Sequence, residues 1–262
     1  MMCRVVIIFF AFLLAGIALA EDEPIQPLQR LLLPKRELLP DRDSLTNTPT
    51  WKSSATVGFT LTRGNSDTLL VAVKLQTQRK SKANEWLLGL DGAYGENNSE
   101  KSRESLHGYG QFNHFFAPRW YDFGRVDGLH DGIKDIRYRF TASTGLGYYF
   151  IQQTNLALAL EAGPSLVTER QGADDQTYAA ARLASRFEYR LGSGSRIWQR
   201  TELIPQVDKQ ENYVVNAELG IETPVAKDLT LQVYLQDNYV HQPAPDYKHN
   251  DVRLISGLSY RF

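Results

Sequence analysis

DVRLISGLSYRF, Asp251 to Phe262, carries two different faces at alternate residues. Val252, Leu254, Ser256, Leu258, Tyr260 and Phe262 form one, which is apolar but for its serine; Arg253, Gly257, Ser259 and Arg261 fall on the other, which carries charge. Side chains separate this way only when successive residues point to opposite sides, so the stretch is a β-strand with one face in an apolar medium and the other in a polar one.

The same test succeeds along the chain from Trp51. Leu69, Val71, Val73 and Leu75 alternate with Lys74 and Gln76, and Trp86, Leu88, Leu90 and Tyr94 with Glu85, Gly89 and Asp91. Tyr138, Phe140, Ala142, Leu146, Tyr148 and Phe150 alternate with Arg137, Arg139, Thr141 and Ser143, and Leu156, Leu158 and Leu160 with Ala157, Ala159 and Glu161. Tyr213 to Ile221 and Leu229 to Leu235 repeat the pattern. The stretches 102–116 and 120–130 are ambiguous in register. Roughly twelve such segments of about ten residues follow one another, with no convincing amphipathic helix between them.

A soluble sandwich also alternates, so other features must discriminate. Breaks near 80–84, 117–119, 152–154, 192–195 and 223–228 are mostly short, whereas those near 64–67, 96–101, 131–136, 169–176, 208–211 and 241–249 include the longest and most polar. Short turns at one end and longer loops at the other are the outer-membrane pattern. Phe116, Trp120, Tyr121, Phe150, Tyr189, Tyr260 and Phe262 lie beside the short turns; Tyr94, Tyr138, Tyr178, Tyr213 and Tyr239 lie beside the long ones. Two rows of amphipathic rings are expected where strands leave hydrocarbon for headgroups. The expected fold is all-β: a transmembrane antiparallel up-and-down β-barrel of about twelve strands over 51–262, closed so that no edge meets lipid. An even strand count would put both barrel ends of the chain on the periplasmic side.

The leading segment agrees with export to a bacterial outer membrane. Arg4, the apolar run Val5 to Leu14 and Ala18-Leu19-Ala20 before Glu21 read as a cleaved signal peptide over 1–20. It contains Cys3, the sole cysteine, so the mature chain would hold no disulfide. It also removes one cation, leaving 28 basic against 30 acidic residues and a net charge of -2, which indicates no nucleic-acid partner. The mean hydropathy of -0.36 argues against a helical membrane bundle but not against a barrel. Residues 21–50, with prolines at 24, 27, 34, 40 and 49, read as a proline-rich periplasmic extension, either a linker or a segment that docks through its leucines.

Phe262, with Tyr260, Leu258 and Leu254 at alternate steps, resembles the terminal strand recognised by the barrel-assembly machinery; Tyr260 and Phe262 are therefore assigned as an assembly signal. The expected partners are that machinery, the export apparatus and outer-membrane lipids.

No catalytic, cofactor-binding or metal-binding set is assigned. His107, His114, His130, His241 and His249 are scattered and none has metal-ligand spacing. Asp131 with Asp135, and Asp174 with Asp175, match no calcium loop. The enzymatic alternative is an outer-membrane lipid hydrolase, whose strand carries histidine and serine together. QFNHFFAP at 111–118 has the histidine without the serine.

If the apolar face meets lipid, Arg137, Arg139, Arg182, Arg186, Arg190, Arg200 and Arg253 line the lumen opposite Asp91, Glu161, Glu188, Glu202 and Glu218. Two readings stay open. Guanidinium groups could guide small anionic solutes through a porin-like passive channel. Alternatively, ion pairs could fill and stiffen a narrow barrel, since twelve strands lie between a filled eight and an open sixteen.

FTLTRGNSDTLLVAVKLQ, Phe59 to Gln76, places Gly64-Asn65-Ser66-Asp67 between two alternating runs, as a hairpin turn would. This run, the following EWLLGLDGAYGENN, Gly145, Gly147 and Tyr148, and Leu160, Glu161, Gly163 and Pro164 together resemble the domain of unknown function 481 family. Its members carry the label of YdiY-like salt-induced outer-membrane proteins of Gram-negative bacteria. The resemblance covers roughly 53–262 and implies an outer-membrane barrel of undetermined activity, without catalytic residues; a structural or stress-related barrel and a narrow passive channel both stay open.

Overall fold

The computed structural model describes residues 50–62, 68–97, 100–192, 194–209, 211–242 and 249–262. The signal peptide read over 1–20, the extension up to Pro49 and the Gly64–Asp67 turn lie outside these residues. Twelve strands follow in order: β1 Trp51–Thr62, β2 Thr68–Lys80, β3 Asn84–Asn97, β4 Glu100–Phe115, β5 Trp120–Asp131, β6 Ile136–Gln152, β7 Leu156–Gln171, β8 Asp174–Arg190, β9 Arg196–Pro205, β10 Tyr213–Pro224, β11 Leu229–Val240 and β12 Asn250–Arg261. Each pairs antiparallel with the next and β12 pairs with β1, so the sheet closes into an up-and-down barrel. Trp51 and Phe262 mark its proximal end; the opposite rim is distal.

Alternation sets the faces. Val57, Val71, Val73, Leu88, Leu90, Leu219, Ile221, Leu231, Leu254 and Leu258 are all exposed on the outside. Apolar side chains turned outward around a closed wall suit hydrocarbon as the solvent, and closure pairs most of the backbone within the sheet, the β1–β12 seam being joined from Ser54↔Arg261 to Gly58↔Gly257. Phe116, Trp120, Phe150, Tyr189, Tyr260 and Phe262 stand outward near the proximal rim, as expected of a girdle.

Three expectations need correction. The polar breaks near 96–101 and 169–176 are largely strand: β7 runs to Gln171 and β8 starts at Asp174, with Gly172 at φ 61° in a two-residue turn. Polarity there marks strands projecting into water, where Arg170 pairs with Asp175 at 3.5 Å and Tyr138 donates to Asp175 at 2.9 Å. Next, β6 contains a bulge at Arg137, because Ile136 faces Gln171 while Tyr138 faces Arg170. The extra residue reverses the alternation, so Ile136 turns in at 1% exposure and Arg137 is exposed, outside the lumen set. A second shift between Tyr149 and Ile151 accompanies the burial of Leu158, which alternation put on the lipid face. Finally, Tyr121 is buried inside rather than in the outer girdle and Tyr178 turns to the interior.

The barrel interior is packed with rings as well as charges. Phe115, Tyr121, Phe123, Tyr149 and Ala159 form one buried cluster; Ala72, Trp198, Tyr234 and Ile255 form another. Glycines make room for them. Tyr121 faces Gly147 across β5 and β6, and Trp198 and Tyr234 flank Gly220. A Cβ at Gly147 or Gly220 would collide with the Tyr121 or Trp198 ring. Each ring therefore lies flat over bare backbone, the pairing known as aromatic rescue of a strand glycine.

Candidate functional site: a charged chamber in the barrel

Above these rings, toward the distal rim, lies a chamber of about 310 Å³. Lys74, Arg125, Arg139, Arg182, Arg186, Arg200 and Arg253 line it, together with Asp91, Asp127, Glu161, Glu202 and Glu218. Consecutive strands present these residues because inward positions recur every second residue.

Glu161 is the hub. Its Oε2 accepts from Arg182 Nη1 at 2.8 Å; its Oε1 accepts from Tyr121 OH at 2.8 Å and Gln111 Nε2 at 3.0 Å. Arg186 lies 3.3 Å from the same carboxylate and donates to Tyr121 OH at 3.1 Å. Arg182 Nε donates to Glu202 at 2.5 Å, which extends the network to β9. Below, Glu85 takes hydrogen bonds from Gln78 at 2.6 Å and Asn113 at 2.8 Å. Across the lumen Glu218 accepts from Lys74 at 2.9 Å, Trp198 Nε1 at 2.7 Å and Gln236 at 3.1 Å. Arg139 pairs with Glu169.

Arg190 and Glu188 pair with each other at 2.9 Å near the proximal rim, outside the chamber. Arg196 joins Glu188 at 3.4 Å to Glu222 at 3.0 Å, and Arg261 reaches Glu222 at 2.5 Å. Of the arginines expected in the lumen, Arg139, Arg182, Arg186, Arg200 and Arg253 line the chamber, Arg190 lies beneath it and Arg137 stands apart. Arg200 is distinct in another way: it is exposed to the chamber and, among the described residues, makes no hydrogen bond or ion pair.

Sequence reasoning missed the β4–β5 part of the site. His107 sits between Asp91 and Asp127, with Nδ1 3.0 Å from one carboxylate and Nε2 3.3 Å from the other. Arg125 clamps Asp127 and stacks 4.4 Å over the Tyr109 ring. Inward aromatics blurred the register of these strands; glycines at facing positions, such as Gly89 opposite Tyr109, were the available signal. The acid pairs have structural uses. Asp131 Oδ1 accepts from the backbone N–H groups of Ile133 and Lys134, and Asp175 serves Tyr138 and Arg170.

The proximal floor is dense. Tyr121 and Asn113 have no exposed surface, Phe123 and Glu85 have 2%, and Thr230 and Ser259 have 1%.

Among solved structures, the chain is similar in fold to a NanC porin, with 10% identity and a TM-score of 0.52 over 79% of this chain and 98% of that one. An outer-membrane channel from Pseudomonas putida F1 aligns at 10% identity and a TM-score of 0.48, covering 89% of this chain and 100% of the other. The translocator domain of autotransporter NalP from Neisseria meningitidis aligns at 11% and 0.44, covering 84% and 91%. No curated protein matches in sequence. The model of a family described as "Protein of unknown function, DUF481" matches residues 55–262. The barrel, from its first strand to its last residue, thus carries the family's pattern, and the chain belongs to the DUF481 family.

Proposed function

We propose that this protein is a bacterial outer-membrane barrel of structural, non-enzymatic role, with its lumen sealed at rest on the periplasmic side. The floor beneath the chamber carries this reading. Rings and hydrogen-bonded polar groups of β3 to β8 pack together there, and Tyr121 and Asn113 at its centre have no exposed surface. A water-filled path would leave such groups wet. Ion pairs add stiffness, because Glu161 and Glu218 are each held by three hydrogen-bond donors from other strands.

Outer-membrane lipids would bathe the outer face, and the export and assembly machinery would deliver the chain, reading Tyr260 and Phe262. A role in salt stress rests on the family label alone; growth of a deletion strain at high salt tests it. Planar-bilayer recording of the refolded protein tests the seal. The expected trace is flat, with or without residues 21–50, and steady single-channel steps would overturn the proposal.

A second reading, a narrow anion-leaning channel opened by movement of the floor, draws support from Arg200, which makes no hydrogen bond or ion pair among the described residues. It requires a reversal potential shifted toward anions whenever conductance is seen; a cation shift rejects it.

A further inference from the structure

The β5–β6 hairpin loses its regular pairing just below its distal turn. Leu129 faces Arg139 and Asp131 faces Ile136, so His130 on one strand and Arg137 and Tyr138 on the other stand between the paired positions. An irregularity of this kind bends the strands and re-aims their side chains. Here it turns the end of the hairpin toward the lumen, burying Asp131 and Ile136 on either side of the turn. The turn, 132–135, is pinned on its own side of the barrel. Asp131 Oδ1 accepts from the N–H groups of Ile133 and Lys134 at 3.2 and 3.1 Å. Gly132 N–H donates to the Glu104 carbonyl of β4 at 2.9 Å, and Gly172 N–H, between β7 and β8, donates to the Asp135 carbonyl at 2.9 Å. Gln171 Nε2 donates to the Lys134 carbonyl at 3.2 Å. Asp135 holds φ 53°, a left-handed conformation that no other non-glycine takes among the described residues.

The Lys134 side chain reaches away from these anchors. Its ammonium donates to Asn238 Oδ1 on β11 and lies 3.6 Å from Asp251 Oδ2 on β12. In the closed ring, β5 and β11 are six strands apart in either direction, and so are β6 and β12. A side chain that joins them has to cross the distal mouth. Asp131 and Asn238, one at each end of the crossing, both line the chamber, so the bridge spans the chamber's distal edge. It is also wetter than the floor. The Lys134 and Asp251 side chains are 16% and 29% exposed, whereas Tyr121 and Asn113 have no exposed surface. Water can take over the bonds of a part-exposed ammonium, so this contact is cheaper to release than a dry one.

We propose that the β5–β6 hairpin is a strap across the distal mouth, latched by Lys134 on Asn238 and Asp251, and that unlatching opens the chamber to small solutes from the distal side. The hinge is the irregular pairing at His130 and Arg137, and the tip swings off the far wall while the strands below it stay paired. The strap governs the distal end whether or not the proximal end is sealed.

Two readouts on the refolded full chain in vesicles test this, both with Cys3→Ser to remove the sole native thiol. The first is the position of the strap. Spin labels on Gly132→Cys, in the exposed turn, and on Val252→Cys, outward on β12, report a distance across the mouth. A narrow distribution is expected with Lys134 in place. Lys134→Ala, or Asn238→Ala combined with Asp251→Ala, should broaden it toward longer distances, and Lys134→Arg should keep it narrow. The second readout is entry. Ala184→Cys puts one thiol in the chamber, opposite Glu161 on the neighbouring strand. Carboxylates line the chamber alongside cations, so a cationic and an anionic methanethiosulfonate are used in parallel. Unlatching should speed modification by both reagents about tenfold, the scale of one lost hydrogen bond to a charged donor. Opposite changes for the two reagents would mean that Lys134 acts through its charge alone and would overturn the proposal. An unchanged distance distribution does the same, as does a released strap with unchanged rates of modification.

Discussion

Arg182 Nη1 lies 2.8 Å from Glu161 Oε2, with the two side chains only 5% and 2% exposed. A buried pair of this kind contributes little net stability against an apolar replacement, yet loss of one partner strands the other charge. Glu161→Ala is expected to cost about 3–5 kcal/mol, read as a lower denaturant midpoint in lipid vesicles. Glu161→Leu combined with Arg182→Met should cost clearly less than the sum of the two single changes. Additive effects would mean that the pair is not a unit.

The floor yields a gain-of-function test. Tyr121→Ala, alone and with Phe123→Ala, removes rings at the centre of the seal. Conductance absent from the wild type is expected in the double variant. A flat trace from a correctly folded double variant, as judged by heat-modifiable gel mobility, would place the seal elsewhere.

Gly147 tests the same contact from the other side. Its missing Cβ leaves room for the Tyr121 ring. Gly147→Val overfills that space and should destabilise the barrel by about 1–3 kcal/mol. Combined with Tyr121→Ala, much of that loss should return. Equal losses with and without the tyrosine would sink the account of the pair.

Phe262 has separable backbone and side-chain roles. Its N–H donates to Ser53 at 3.0 Å and its carbonyl accepts from Ser53 at 3.1 Å. Deletion removes the bonds and the ring, whereas Phe262→Ala removes only the ring. If the ring is an assembly signal, both variants should reach lower outer-membrane levels on fractionation. Normal levels of the alanine variant would reject the signal and leave the backbone closure.

Gly172 turns β7 into β8 at φ 61°. Gly172→Val should cost about 1–2 kcal/mol, since a branched side chain is strained there. An unchanged midpoint would show that the turn relaxes to another form.

The period-two pattern determined the strands, their outward faces and the closed topology, because in lipid each outward residue is selected by the solvent it meets. Leu258 and Leu254 faced lipid as read. The pattern also brought Arg139, Arg182, Arg186 and Arg200 to the interior. It failed at Arg137, where one inserted residue reversed the faces, and at Tyr121, because an aromatic residue suits a headgroup girdle and a packed lumen equally. Only register decided those cases: Tyr121 lies inside because it faces Gly147, a relationship between residues 26 positions apart. Which arginine pairs with which glutamate, how far the floor is sealed and where the β1–β12 seam stops also depend on how strands meet across the barrel. No local sequence pattern contains those distances.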